Sequence, residues 1–351
     1  MHHTPSPDTH TTIIVALLNF NSWRHTIECL ESLFRMVPPS GGFRVIVCDN
    51  ASSDDSMSHI ISWAEGHEAA EIAQSQVPKP IRWKCLTRKQ AESGGEPSDA
   101  DFRLLLVQTG ENLGYAGGNN VALAYALARP EVEFVWVLNN DTIVEPLALK
   151  LLHERAVASD HPGICGSTII YHSHPDMVQA YAGGTYEPWL ARPINLGIGR
   201  PVREKPDVTE IESTLQFVVG VSALVSRSFL EKVGVMQTDY FLYFEEIDWA
   251  LRARGRFKLG YAPGSIVYHK DGGSIGSHRE SRQKSLLSEL YFVRSAIRFT
   301  CRFFPFALPT VYAGLFLKIL FRLRYGLWMR AWLIFAQLFL SWSRHDRLRP
   351  V

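Results

Sequence analysis

Three acids, Glu245, Glu246 and Asp248, fall together in YFLYFEEIDWALRARG, where the pattern predicts the opening of a helix. Tyr240, Phe241, Tyr243, Phe244 and Trp249 crowd them. A carboxylate that is partly desolvated beside other carboxylates keeps its proton to higher pH, and a general base working near neutrality needs that property. The structural alternative is that acids in a first turn complement the helix dipole. A second set closes FVWVLNNDT, residues 134–142, where an apolar run stops on Asn139, Asn140 and Asp141. The same change of character follows TIIVALLNF, with Asn19 and Asn21, and RVIVCDN, with Asp49 and Asn50. It recurs after RLLLVQT, at residues 109–112 ending in Asn112. Brought together, such side chains line a polar pocket; taken singly, each is also a good helix N-cap. His269 ends the run SIVYH, and alone it is as readily a structural residue.

The segment GENLGYAGGNN, residues 110–120, adds Gly114, Gly117 and Gly118, which allow close backbone approach to a ligand. Asn119 and Asn120 follow where the next helix is expected, at a helix start suited to polar ligands. A purely structural glycine turn is the alternative. The spacing lacks both the G-x-G-x-x-G fingerprint and the Lys-Ser/Thr of a P-loop. Gly220, Ser222 and Leu224 fail the last position of G-x-S-x-G, so a serine nucleophile elbow is excluded.

Positioning these groups requires a scaffold, and apolar β-rich runs do alternate with amphipathic stretches at 22–36, 55–65, 117–128 and 146–158. Strands without polar alternation are buried on both faces, which predicts an α/β fold: a Rossmann-like, mainly parallel sheet flanked by helices. Ligands of such sheets bind beyond the carboxyl ends of the strands, where the polar strand ends lie. Residues 66–101, rich in Pro, Gly, Ser and mixed charge, are expected to be an inserted loop region. Residues 1–10 are expected to be a flexible tail, His2 and His3 included. The start lacks an apolar signal core, which suggests that the chain is not secreted.

Composition narrows the classes. With 351 residues and 46% hydrophobic content the chain can build a sizeable core. A formal charge of +1 argues against a nucleic-acid partner. Cys29, Cys48, Cys85, Cys165 and Cys301 lie far apart without a C-x-x-C pair, so they indicate neither a zinc site nor a disulfide framework and fit a reducing, cytoplasmic compartment.

The ordered set LLNFNSW, DNASSD, ENLGYAGGNN, LNNDT, YFEEIDWALRARG and IVYHKDGGS resembles glycosyltransferase family 2, within it most nearly the rhamnosyltransferase-like and galactofuranosyltransferase-like branch, over residues 11–276. The resemblance implies a GT-A fold, a nucleoside-diphosphate sugar donor linked to dTDP or UDP, and a divalent metal, Mg2+ or Mn2+. It also implies inversion at the anomeric carbon. Carried over, it places Asn19, Asn21, Asp49, Asn50 and Asn112 at the donor, with Asp49 accepting from a pyrimidine N–H. Gly117, Gly118 and Asn119 would frame the donor, and Asn139 and Asn140 would lie near ribose or metal. Asp141, in the place of the family's D-x-D motif, and His269 become metal ligands. Glu246 becomes the base, with Glu245 and Asp248 as the other catalytic candidates. The implied activity is transfer of a sugar, rhamnose by the branch, to a glycan or lipid-linked acceptor in cell-surface polysaccharide synthesis. A nucleotidyltransferase-like enzyme or a non-catalytic sugar-nucleotide-binding protein are the rival readings.

Residues 277–351 change character. From Leu286 onward ten basic residues face two acids, Glu289 and Asp346. Arg294, Arg298 and Arg302 recur along one helix face, and a basic face beside Phe, Leu and Trp suits a helix lying on an anionic membrane. The uninterrupted apolar stretch 303–317, with Pro305 and Pro309, falls short of the roughly 20 residues a spanning helix needs. A basic amphipathic helical region is therefore expected, with peripheral contact through residues 286–351 at the cytoplasmic face of the membrane. A bundle packed on the catalytic domain, a homo-oligomer interface and a transmembrane hairpin are the alternatives. Removal of residues after about Ser285 is expected to leave a soluble catalytic domain.

Overall fold

The computed structural model describes residues 13–67, 75–158, 162–270 and 286–340; the expected tail at 1–10 and the final residues 341–351 lie outside them. The strands are β1 (Ile13–Asn19), β2 (Phe43–Asp49), β3 (Trp83–Thr87), β4 (Leu104–Gln108), β5 (Phe134–Asn139), β6 (Thr142–Val144) and β7 (Pro162–Tyr171). They continue as β8 (His174–Tyr181), β9 (Gly183–Glu187), β10 (Arg192–Asn195), β11 (Phe217–Val218), β12 (Ser222–Ser226) and β13 (Lys258–His269). The helices are α1 (Trp23–Phe34), α2 (Ser56–Glu65), α3 (Arg88–Glu92), α4 (Gly114–Leu127), α5 (Ala148–Val157) and α6 (Val208–Thr214). After them come α7 (Arg227–Val233), α8 (Glu245–Ala253), α9 (Leu286–Phe303), α10 (Leu308–Arg324) and α11 (Trp328–Leu340).

The main sheet runs β3-β4-β2-β1-β5-β12-β7-β13-β6, with β8 on β7. Its first half is parallel, and β12 enters antiparallel between β5 and β7. Alternate residues of each strand serve opposite faces, as a period of two requires. Val15, Leu17, Val45 and Leu106 join the core that contains residues of α1, α2 and α5. Ile14, Ala16, Ile46 and Leu105 join the core that contains residues of α4, α7 and α8. This double burial is why the strands read as continuous apolar runs.

The sequence expectation for residues 66–101 needs correction, because this region supplies β3, an edge strand parallel to β4. Only Leu86 of WKCLT is buried, so the strand carries too weak an apolar pattern to be seen. Residues 68–74 lie outside the described residues.

The C-terminal helices differ from expectation in three respects. First, Pro305–Arg324 forms a continuous 20-residue helical stretch, long and apolar enough by composition to cross a membrane. The prolines do not shorten it because they lie in first turns, where a missing N–H costs nothing. Second, Arg294, Arg298 and Arg302 face protein. Arg294 is buried, Arg298 donates to the Asp239 carbonyl, and Arg302 lies 3.2 Å from Asp248. Third, Val293, Ala296, Ile297 and Phe299 of α9 share a core with Tyr186, Phe217, Phe244 and Ile247. Helix α9 is thus part of the fold that carries the main sheet, and a cut after Ser285 would remove a wall of its core.

Candidate active site

Parallel register brings the polar strand ends to one edge: Asn19 lies opposite Asp49, and Leu18 opposite Asn139. There they bond mainly to one another. Asn19 is fully buried, donates to Asp49 Oδ2 at 2.8 Å and accepts from Thr26 Oγ1 at 2.8 Å. Asn140 reaches the same hydroxyl at 2.8 Å, and Asp49 Oδ1 accepts the Ser52 N–H at 3.1 Å. Asn50 accepts from the Leu113 N–H and donates to Asn112 Oδ1 at 2.9 Å. Asn21, exposed at φ 49°, accepts the Ser53 N–H at 2.7 Å. The strand ends therefore stitch the loops into a rigid rim. Asp49 is only 1% exposed, which does not favour the expected contact to a base.

The glycine segment also differs. Helix α4 begins at Gly114, so Gly117, Gly118 and Asn119 lie inside it instead of in a ligand loop. A Cβ on Gly118 would stand 2.3 Å from Leu18 Cδ1, and one on Gly117 would stand 2.7 Å from Leu113 Cβ. They allow helix and strand to pack closely. Gly114, at φ +74°, lets the chain pass against the Phe241 carbonyl, which accepts the Tyr115 N–H at 2.8 Å. Asn119 donates to the Tyr115 carbonyl at 3.0 Å.

Asp141 and His269 meet because β6 and β13 pair with Thr142 opposite His269. Both side chains are nearly buried, with His269 Nε2 at 3.3 Å from Asp141 Oδ1. Gln179 of β8 lies with Oε1 at 2.9 Å from His269 Nδ1. With Gln179 Oε1 as acceptor, the neutral imidazole is the tautomer that carries its proton on Nδ1 and turns the Nε2 lone pair toward the carboxylate, whereas a protonated ring would pair with Asp141 directly. In the neutral form the two groups are both acceptors and suit a shared cation, and 3.3 Å is close to the roughly 3.1 Å between two ligands at right angles on an ion of Mg2+ or Mn2+ size. The donor set fits such an ion. Among the described residues no group of three or more His, Cys, Asp or Glu side chains could hold a metal alone, so substrate oxygens and water would complete the shell. His25 and Lys270 adjoin this pair, and burial followed by the Lys270 charge lowers the basicity of His25.

The acids enter from α8. Before it, Phe241, Tyr243 and Phe244 take φ of 68°, 69° and 75°, a left-handed region costing side-chain-bearing residues on the order of 1–3 kcal/mol each. Helix α9 holds this strained turn. Ser295 Oγ donates toward the Tyr240 and Leu242 carbonyls at 3.1 and 2.8 Å, Tyr291 stacks on Phe241 at 4.5 Å, and Ser288 bonds the Tyr243 hydroxyl at 2.6 Å. The turn delivers Glu245 and Glu246 to the site but turns Asp248 away. Asp248 is fully buried, bonded by Arg252 at 2.6 Å and by the Tyr240 hydroxyl at 2.8 Å. It braces the helix.

Glu245 is 1% exposed, and its Oε1 has no hydrogen-bond partner. Burial, then the neighbouring Glu246, pushes its carboxyl well above the usual range. Glu246 is partly exposed. Burial raises it too, while backbone N–H groups, its own and that of Gly220, draw it back down. Glu246 is therefore the more readily ionised and the more accessible of the two. Tyr115 links the two halves, donating to the Gly220 carbonyl at 2.7 Å and lying 3.4 Å from Asn139 Oδ1. Burial, then Glu246, Glu245 and Asp141, keeps its hydroxyl protonated. Tyr115 lies inside the glycine segment 110–120, which marks it only by position, whereas Gln179, on an antiparallel strand remote in sequence, has no sequence signal.

No family model matches this chain. It is 28% identical over 151 residues to the low-salt glycan biosynthesis hexosyltransferase Agl10 of Haloferax volcanii, a match covering 42% of this chain and 45% of that protein. The chain thus matches less than half the length of this curated relative. Among solved structures, the mannosyltransferase PcManGT from Pyrobaculum calidifontis, in complex with GDP-Man and Mn2+, superposes with a TM-score of 0.51 at 16% identity. That match covers 97% of this chain and 90% of PcManGT. GalNAc-T7 with UDP, GalNAc and Mn2+ gives a TM-score of 0.51 at 12% identity over 81% of this chain and 47% of its own. The fold is shared with these proteins: a mostly parallel mixed sheet flanked by helices, of the GT-A type.

Proposed function

We propose that the chain is a glycosyltransferase of the family 2 kind that transfers a sugar from a nucleoside diphosphate to a glycan or lipid-linked acceptor, with inversion. The observation that carries this reading is the linkage of Glu246, through Gly220 and Tyr115, to the strand end that bears Asn139, with Asp141 and His269 just beyond it. One acid poised to take a proton thus stands near a donor pair suited to a diphosphate-bound cation. The similarity to a hexosyltransferase supports a hexose-type donor, and the sequence branch favours rhamnose carried on dTDP or UDP.

In the proposed step Glu246 accepts the proton of an acceptor hydroxyl as its oxygen bonds to the anomeric carbon. The bond from that carbon to the diphosphate breaks, and the electron pair leaves on the phosphate oxygen. Attack opposite the leaving group inverts the centre. Burial and the neighbouring Glu246 favour the protonated form of Glu245, which adds no second negative charge beside the base. Asp141 and His269 would hold a divalent cation, whose charge when bound stabilises the departing diphosphate. Tyr115 keeps its proton and fixes the 220 loop against the strand end.

The test is a panel of dTDP-, UDP- and GDP-sugars with the full-length protein, following thermal stabilisation with and without Mn2+ and release of nucleoside diphosphate. Stabilisation by one donor, with slow metal-dependent release, is expected. Absence of both for every donor would remove the reading.

A further inference from the structure

Among the described residues, eleven of the nineteen exposed large hydrophobic side chains lie within residues 305–335. On α10 these are Phe316, Leu317, Leu320 and Phe321, while Val311, Leu315 and Ile319 of the same helix pack inward. On α11, Trp328, Met329 and Trp332 are 67%, 71% and 66% exposed, while Ala331 and Ile334 pack inward. Each helix is thus apolar on both sides, and water provides no reason for the outer one. The turn Pro188–Leu190, from the body that carries the active site, extends the surface. Trp189 and Leu190 are exposed, the Trp189 ring meets Phe306 edge-on at 5.3 Å, and the Trp189 carbonyl accepts from Thr310 at 2.8 Å.

The described basic residues of this region mostly point the other way. Arg294, Arg298 and Arg302 serve the catalytic body, as noted above. Lys318 and Arg322 of α10, with Arg330 of α11, converge on Glu289 of α9 at 3.1, 2.8 and 3.3 Å. Burial would raise Glu289, but Arg322 and Lys318 outweigh it and hold the carboxyl below its usual range. Moving α10 away from α9 to cross a bilayer would strand that nearly buried carboxylate, so α10 stays on the body.

We infer that α10, α11 and the turn Pro188–Leu190 form one membrane-interface surface that lies in the plane of a phospholipid bilayer, spans nothing and is held by apolar burial with little contribution from charge. Trp189, Trp328, Trp332 and Tyr325 have the composition of interfacial anchors, apolar rings with a polar edge. Because Trp189 belongs to the catalytic body, binding would fix the active site relative to the lipid surface, where a lipid-linked acceptor would reside.

Flotation of full-length protein with phosphatidylcholine vesicles tests this directly. The protein should float with neutral vesicles, and about equally with vesicles containing phosphatidylglycerol and at high salt. Trp332→Glu and Trp189→Glu, both at exposed sites that leave the core intact, should each lower partitioning on the order of tenfold. Circular dichroism should be unchanged for both. Binding that requires anionic lipid or is lost in salt would overturn the apolar mechanism. Resistance of the Trp189 variant would remove the catalytic body from the surface. A monomer that ignores vesicles would overturn the inference. So would a detergent-independent dimer that Trp332→Glu dissociates, which would show that a second copy of the chain covers this face.

Discussion

Replacing Glu246 by glutamine keeps the size and hydrogen-bonding shape of the side chain, including acceptance from the Gly220 N–H, and removes only its capacity to take a proton. If Glu246 is the base, kcat should fall by about 10²- to 10⁴-fold, or roughly 2.7–5.4 kcal/mol of transition-state stabilisation, with donor affinity retained. Glu246→Asp keeps the proton acceptor but withdraws it by about 1.5 Å, and a misplacement of that order costs on the order of 10²-fold. The pH profile supplies an independent check. Burial raises the Glu246 carboxyl, so kcat/KM should climb through a value above the ordinary carboxylate range and level off once the group is ionised. That limb should vanish in Glu246→Gln. Glu245→Gln should behave differently, because burial and the neighbouring Glu246 already favour the neutral form of Glu245: activity should change by less than about tenfold, with the limb retained. Steady-state kinetics with the donor found by screening, from pH 5 to 9, would measure both variants. Near-full activity of Glu246→Gln, or a loss of its expected size in Glu245→Gln alone, would refute the assignment.

Other consequences can be measured independently. The raised Glu245 carboxyl makes the folded state hold a proton that the unfolded chain releases above about pH 4.3. Its contribution to stability should therefore be present below that pH and be lost as pH rises through the folded value, and Glu245→Gln should flatten denaturant-derived stability across that window. Asp141→Ala should abolish metal-dependent donor binding in calorimetry while leaving the circular dichroism spectrum unchanged. Gln179→Leu should weaken metal affinity by about 10- to 100-fold by releasing the ring of His269. Asp248→Asn should lower stability by about 1.5–3 kcal/mol, since the partly exposed Arg252 and Arg302 lose a charged partner, yet retain turnover at a permissive temperature. Truncation after Ser285 should give insoluble or molten protein in place of a soluble domain, because α9 supplies core residues and holds the 241–244 turn.

Local order was legible in the sequence wherever a period was strong. The apolar runs of β1, β2, β4 and β5 announced themselves because each is buried on both faces, and the acids at 245 and 246 stood out because carboxylates amid aromatic rings are rare. Asp141 and His269 could be paired only through resemblance, since 128 residues separate them and the contact depends on β6 returning against β13. Other features had no sequence signature. The half-exposed β3 carries too little apolar character, and Gly117 and Gly118 read as a ligand loop until the start of α4 turned them into a packing surface against Leu18 and Leu113. The polar strand ends suggested a pocket, yet side chains that satisfy one another build a rim and leave the ligand to a few remaining atoms. Charge was the least readable: a helical spacing of arginines says that they share a face, while only packing decides whether that face meets lipid, solvent or the Asp239 carbonyl and Asp248. Periodicity is a property of a segment and survives in the sequence. The partner of a charged or polar group is set by elements that are distant along the chain, and the tertiary structure alone brings them together.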